Sequence, residues 1–429
     1  MRQSDIGPEG YIPRVVDQSI QDALRSSPAV VLEGPRACGK TWTGRSFANS
    51  MVRFDELEAT RLSLEVNPAS FLTGNTPRLL DEWHLADGLW NAMRHACDDR
   101  NLNGQFILAG SIKPTYSATD HSGAGRVARI QMRPMSLVES DDSSGSISLS
   151  ALLEGSECAS DAPDIDLQQI ASLICRGGFP RFVTASPTDA QARMVDYLKD
   201  IALLDLSGNG KADHDPEKMT ALIRSLARNE TTSASHQTLA NDIGNSGGPA
   251  DRATITRYLE RLSQAFVLEH LRGWNTHLRS KTTLRSTPKR YFTDPSLAAA
   301  ALNATPEALL NDLPTLGLLF ESLAIRDLRV YIQALRADLR YYRDSKNLEC
   351  DAIITGGIKQ RHGQWAAVEI KLGGANAIAS GIASLRKVRD KVDTQKAGNP
   401  SRLIVLTAVG HAFETTDNIA VVPITLLGP

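Results

Sequence analysis

Gly34-Pro35-Arg36-Ala37-Cys38-Gly39-Lys40-Thr41 fits the pattern G-x-x-x-x-G-K-[ST] without a mismatch. It follows the short apolar run Ala29-Val-Val-Leu-Glu33 and precedes a helical pattern that extends to about Asn49. A strand, a glycine-rich turn and a helix form the context in which this spacing carries chemistry. The glycines let the backbone curl so that successive N–H groups point inward. Those donors, with the helix N-terminus, cradle phosphate groups. Gly34, Pro35, Arg36, Ala37, Cys38, Gly39, Lys40, Thr41 and Trp42 are therefore the candidate binding segment for ATP or ADP. Lys40 would reach the β- and γ-phosphates, and the Thr41 hydroxyl would hold Mg²⁺.

Further apolar runs appear downstream at Met51-Val-Arg-Phe54, Arg78-Leu-Leu-Asp81 and Gln105-Phe-Ile-Leu-Ala109, with helical patterns between them. Strands alternating with helices predict an α/β fold with a parallel sheet covered on both faces. The third strand ends in Asp81-Glu82. A carboxylate pair there suits a metal-holding Asp81 and a Glu82 that polarises the attacking water. The next strand ends at Ser111, a candidate contact for the terminal phosphate or the water. Arg126 and Arg129 follow as candidate fingers, acting in cis or from a neighbouring subunit, that stabilise charge in the transition state.

The chain has 429 residues, 41% hydrophobic and 22% charged, which excludes wholesale disorder and predicts several domains. No apolar run reaches the ~18–20 residues that span a bilayer. The start, MRQSDIGPEGYIPR, lacks an apolar h-region and does not read as a signal peptide. Five widely spaced cysteines without C-x-x-C predict neither a disulfide framework nor a zinc site. A cytoplasmic chain with no membrane partner is the expectation.

Net charge is only −2, but it is unevenly spread. Glu139 to Asp166 holds eight acids and no Lys or Arg, and reads as a solvated linker. Arg252 to Arg290 holds nine basic residues against two acidic ones. That basic run falls in a pattern of three helices followed by two strands, a winged helix–turn–helix. Nucleic acid is therefore not excluded.

The order GPRACGKT, LLDEWH, ILAGS, GRVARIQMRPMSLVE and GGFPRFV resembles a large family of prokaryotic AAA+ ATPases with a C-terminal domain of unassigned function. The resemblance covers essentially the whole chain. It implies a P-loop AAA+ core over 1–138, an acidic linker over 139–166 and a helical lid over 167–215. A winged helix–turn–helix over 216–293 and a restriction-endonuclease-like α/β domain over 294–429 complete it. It also implies ATP and Mg²⁺ as cofactors and gives Pro180 the place of a nucleotide-sensing proline. The sequence departs from the family at Trp83 and His84, where Ile-Gln is typical.

In the last part, Glu321 lies on a long helical pattern, Asp351 on a strand, and Glu369-Ile370-Lys371 on the next. This resembles the PD-(D/E)xK nuclease pattern. Strand alternation puts Glu369 and Lys371 on one face. Asp351 and Glu369 would then share a Mg²⁺, with Lys371 orienting water and Glu321 adding a contact. Fold alone does not imply cleavage. Thr254, Arg257 and Arg261, with Arg279, Lys281 and Arg285, have two readings: contacts to DNA or RNA phosphates, or the surface of a packing module in the lid. The leading expectation is an ATP-hydrolysing switch acting on or near nucleic acid. The alternatives are an ATP-regulated nuclease and a nucleotide-gated scaffold for a protein partner or a homo-oligomer.

Overall fold

The computed structural model describes residues 6–55, 67–111, 123, 125–158, 165–203, 215–247, 251–275, 287–357 and 365–429. The chain divides into two compact units, 1–134 with 264–266, and 135–263 with 267–429.

The first unit is built on a five-stranded sheet. Its strands are β1 (Ala29–Glu33), β2 (Ser50–Arg53), β3 (Arg78–Asp81), β4 (Phe106–Gly110) and β5 (Val127–Gln131). The order is β2-β3-β4-β1-β5 and every pairing is parallel. Parallel strands are buried on both faces, which is why β1 and β4 are apolar throughout rather than alternating. Val31, Leu80 and Leu108 face one core with Trp90 and Met93 of α3 (Leu89–Arg100). Val30, Leu79 and Ile107 face the other with Ile20 of α1 (Asp17–Ser26). Helix α2 (Lys40–Phe47) follows the turn after β1.

The second unit combines helices with a six-stranded mixed sheet. Helices α5 (Leu167–Arg176), α6 (Pro187–Leu203) and α7 (Pro216–Arg228) pack around α10 (Pro295–Leu302). Helices α8 (His236–Gly247) and α9 (Arg252–Gln264) precede an antiparallel pair, β7 (Leu268–Leu271) and β8 (Lys289–Phe292). The three helices and two strands expected from the periodicity are therefore present. A short α11 (Pro306–Leu310) leads to the long α12 (Leu313–Ala334). The sheet then runs β13-β14-β12-β11-β10-β9. Its strands are β9 (Ala337–Arg343), β10 (Glu349–Gly356), β11 (Trp365–Lys371), β12 (Pro400–Thr407), β13 (Phe413–Glu414) and β14 (Ile419–Pro423). Helix α13 (Ala375–Lys391) crosses between β11 and β12, which are parallel. None of the described helices is long and apolar enough to cross a membrane.

Where it is described the acidic run is folded, with Glu139 buried and Asp142 half-buried, while Asp141, Glu154, Glu157 and Asp166 are exposed; Asp161 and Asp164 lie outside the described residues. Glu139 is buried and accepts from the Ser136 amide and hydroxyl at 2.8 and 3.1 Å. Asp142 binds Arg176. Asp166 forms a capping box with Gln169 at the start of α5. Between them, β6 (Ile147–Ser148) pairs with β15 (Leu427–Gly428), and α4 (Leu149–Leu153) follows. Glu139, Asp142 and Asp166 thus occupy turn, ion-pair and cap positions that charge counting does not reveal.

Buried charge organises this unit. Arg326 of α12 bonds Asp294 and Asp327 at 2.9 Å each. The same Asp294 accepts from the Gly178 amide at 3.0 Å and caps α10 through Ser296. Asp327 accepts from the Leu137 amide at 3.1 Å. Gly178 is required there, since a Cβ would lie 2.0 Å from the Met135 carbonyl oxygen. Asp294→Ala removes both a helix cap and one anion from a buried pair. It should lower unfolding stability by ~3–5 kcal/mol in urea titrations, whereas an exposed control, Asp338→Ala, leaves the midpoint unchanged.

Glu230 is fully buried, and its Oε1 accepts from the Ser322 hydroxyl and the Phe292 amide. Burial is the main cause that pushes its carboxyl up to about 8; the two hydrogen bonds oppose it. The native state therefore holds a proton that the unfolded chain releases near the ordinary glutamate value. Stability from this group is full below that value and is lost as pH rises toward about 8. Glu230→Gln keeps an acceptor for both donors. It should flatten the fall in stability between pH 5 and 8, by on the order of 1 kcal/mol per pH unit, in pH-resolved denaturation.

Candidate functional site

The turn after β1 brings together the residues singled out from sequence. Gly34 packs so closely under the chain that a Cβ would sit 2.3 Å from the Met132 carbonyl oxygen. Ala37 and Gly39 adopt left-handed backbone at φ 62° and 104°, which curls the loop before α2 begins at Lys40. Lys40 is buried, and its ammonium donates to the Gly34 and Pro35 carbonyls at 2.9 and 2.7 Å. Arg36 and Ala37 are exposed, Cys38 is buried, and Trp42 lies half-exposed on α2.

Parallel pairing sets Asp81, at the end of β3, level with Arg53 and Ala109. The Thr41 hydroxyl donates to Asp81 Oδ1 at 3.0 Å. Burial pushes the Asp81 carboxyl up to about 6; the Thr41 bond pulls it down and the Glu82 charge pushes it further up. Glu82 sits at φ 50°, a strained place for a non-glycine residue and a common mark of functional sites. Ser111 donates to Glu82 Oε1 at 3.2 Å, and His84 Nδ1 stands 3.4 Å from Oε2. Burial holds the imidazole of His84 below its ordinary value. The Glu82 charge opposes that shift, while Arg36 and Lys40 reinforce it. Trp83 turns into the core against Trp90, with ring centroids 5.1 Å apart. Lys40, Thr41, Asp81, Glu82 and Ser111 thus form one connected end of the sheet, with His84 added.

The candidate arginines are placed otherwise. Arg126 pairs with Asp98 of α3. Arg129 pairs with Glu33 and stacks over Trp90. Pro180 opens a short turn, Pro180–Phe182, in the second unit. Sequence reading missed Tyr11 and Arg14. The Arg14 guanidinium donates to the Cys38 carbonyl at 3.0 Å and to the Arg133 carbonyl at 2.8 Å. Tyr11 donates to Asp17 and lies 3.2 Å from the Thr43 hydroxyl. Tyr-x-x-Arg just before α1 has no periodicity to mark it, and only its aromatic and cationic composition set it apart.

In the second unit Asp351, Glu369 and Lys371 lie together, and Glu321 is joined to Asp351 through Lys289. Lys371 bonds Glu369 at 2.8 Å and stands 3.8 Å from Asp351. The Ile370 amide donates to Asp351 Oδ2 at 2.8 Å, and Ser384 donates to Glu369 Oε1 at 2.7 Å. Burial first, then the Asp351 charge, push both Glu321 and Glu369 up to about 7. Two residues not anticipated join them. Lys289 of β8 lies 3.2 Å from Glu321, 2.7 Å from Glu349 and 3.9 Å from Asp351. Among the described residues, no group of three or more acidic, histidine or cysteine side chains is arranged to hold a metal ion.

On α9, Arg261 is buried and stacks on Tyr258, so it is not available for a phosphate contact. Arg257 stacks on the same ring. Arg279, Lys281 and Arg285 lie outside the described residues.

Residues 26–140 match a family described as "AAA domain". Residues 167–308 and 316–427 match two families each described as a domain of unknown function, DUF8612 and DUF4143. Uncharacterised proteins of Mycobacterium tuberculosis and Mycobacterium bovis are each 25% identical over 411 residues, covering 94% of this chain and 82% of theirs. Among solved structures, a Walker-type ATPase of Pyrococcus abyssi is 14% identical. It covers 70% of this chain and 99% of its own, with a TM-score of 0.45. The Holliday junction branch migration motor RuvB of Thermotoga maritima is 17% identical over 62% of this chain and 91% of its own, with a TM-score of 0.28. The phosphate loop, the parallel sheet and the AAA domain match together make the first unit a P-loop domain of the AAA ATPase type.

Proposed function

We propose that the chain binds ATP with Mg²⁺ at the loop after β1 and hydrolyses it, using Glu82 as the base that orients water. The observation that carries this reading is the 3.0 Å bond between the Thr41 hydroxyl and Asp81, beside a Glu82 held by Ser111. Thr41 and Asp81 offer adjacent hard oxygen donors, the donor set that suits Mg²⁺. Bound there, the ion would neutralise charge on the phosphate oxygens. Lys40 would exchange the Gly34 and Pro35 carbonyls for phosphate oxygens, staying within the loop. Ser111 bonds one carboxylate oxygen of Glu82 and fixes its direction, with His84 Nδ1 3.4 Å from the other. Arg126 serves as a finger only if it leaves Asp98, and Pro180 as a sensor only if it meets the nucleotide.

The output we assign is a switch acting on or near nucleic acid. Support comes from the three helices and antiparallel pair of 216–292, read as a winged helix, and from the basic surplus within them.

Three outcomes test these readings. Lys40→Ala should weaken nucleotide binding at least tenfold in a fluorescent-nucleotide titration. Glu82→Gln should keep affinity within a few-fold and lower kcat by ~10²–10⁴, the range of general-base contributions; undiminished turnover in Glu82→Gln would refute the assignment. For the output, duplex DNA affinity should fall linearly in log–log plots against salt, with a slope of about −0.9 per phosphate contacted. A salt-independent or absent interaction turns the reading toward a scaffold for a protein partner.

A further inference from the structure

The resemblance to PD-(D/E)xK nucleases implies a Mg²⁺ shared by Asp351 and Glu369. The side chains present do not fit that ion, because the protein sets its own cations among these acids: Lys371 at Glu369 and Asp351, and Lys289 beside Glu349, Glu321 and Asp351. A magnesium or calcium ion requires several oxygens within about 2.0–2.6 Å of one point. At the centre of this cluster stands the Lys289 ammonium, 2.7 Å from Glu349 Oε1 and 3.2 Å from Glu321 Oε1, with Asp351 Oδ1 at 3.9 Å. An ammonium carries three donors and no acceptor, so it suits three surrounding carboxylates.

Several of these carboxylates accept further bonds. Glu321 Oε1 takes a second bond from the Tyr291 hydroxyl at 2.8 Å. Asp351 Oδ2 accepts from the Ile370 amide at 2.8 Å. Glu369 is held at both oxygens, by Ser384 and by Lys371. Lys371, the residue expected to orient water, is thereby an ion-pair partner of the acids. Lys289 itself is only 6% exposed, so its charge is retained by these acids and not by solvent.

We propose that Lys289 is the resident cation of this acidic centre, a tethered ammonium that takes the place of a divalent metal ion. The centre then fastens strand β8 to β10 and α12, and the Glu-x-Lys pattern serves an internal ion network, not hydrolysis of a phosphodiester. This inference stands apart from the ATPase reading, since none of these residues belongs to the first unit.

The experiment is a Mn²⁺ titration of the full chain without nucleotide, followed by electron paramagnetic resonance of the free ion. Four proteins are compared: wild type, Asp351→Asn, Lys289→Gln and the double variant. Wild type and Asp351→Asn should bind the same number of ions. Lys289→Gln should bind one more per chain. The double variant should lose that ion. If wild type binds an ion that Asp351→Asn abolishes, or if Lys289→Gln gains none, the proposal is overturned. Should Lys289→Gln fail to fold, the comparison of wild type with Asp351→Asn decides alone. Equal binding upholds the tethered cation, and a lost ion refutes it.

Discussion

The ion cluster of Arg326, Asp294 and Asp327 is the constraint around which the second unit is arranged. A guanidinium inside a protein is tolerated only when its donors meet anions, and the anions only when their other lone pairs are met as well. Here those other lone pairs are met by main chain. Asp294 takes the Gly178 amide and the start of α10, and Asp327 takes the Leu137 amide. Three segments far apart in sequence are thereby fixed on one helix, α12. The glycine pair at 177–178 follows from this. Gly177 has φ 71°, and Gly178 leaves no room for a side chain between Met135 and Arg326. A breaker before Pro180 is the expected local reading of that motif. Its physical cause is the approach of two backbones to one buried arginine.

The first unit solves a different problem with hydrogen bonds along one edge of a parallel sheet. Parallel register carries the ends of β1, β3 and β4 to the same side, where neither helix face covers them. Residues that end these strands need not be apolar, and they are the ones with chemistry: Asp81, Glu82 and Ser111. Each is held by another. Thr41 ties the loop to Asp81, and Ser111 ties β4 to Glu82. The left-handed backbone at Glu82 stores strain that the neighbouring buried Trp83 helps hold in place, since Trp83 anchors the turn against Trp90. Departure from the family pattern at Trp83-His84 thus has a local account. The indole fills the core, and the imidazole lies beside the carboxylate that the family motif leaves to a different side chain.

What could be read in advance divides along physical lines. The phosphate loop, β1, β3 and β4 were legible because spacing and apolar runs are local properties. So were the three helices and the β7–β8 pair. Strand β5 was not, because Val127-Ala-Arg-Ile-Gln131 alternates like an exposed segment while lying at a sheet edge. Strand β14 is signalled by the turn residues Thr415-Thr-Asp-Asn418 before the fully buried run Ile419 to Val422, whereas β15, two residues long, is not. The acidic run is only in part the solvated segment that its composition predicts. Composition counts charges, but it does not record that Glu139 turns back to its own helix-like turn or that Asp166 caps one.

Lys289 shows the limit most sharply. In sequence it is one more basic residue in a run whose surplus points outward to a polyanion. In space it lies among carboxylates of the same chain, so part of that surplus is spent internally. Arg290 donates to the Ala234 carbonyl, and Arg261 is buried against Tyr258, so they too leave the surface count. The net field that a phosphate backbone would meet is therefore weaker than the sequence total implies. It depends on the residues that remain exposed, with Arg252 and Arg272 among them. Among the described residues, a nucleic-acid role for this region rests on how the exposed charges are spaced and not on the size of the run. The same reasoning bears on the acids: once Lys289 and Lys371 are counted in place, Glu321, Glu349, Asp351 and Glu369 form an ion network with two cations of its own, which leaves a metal ion far less to gain there than their sequence pattern suggests.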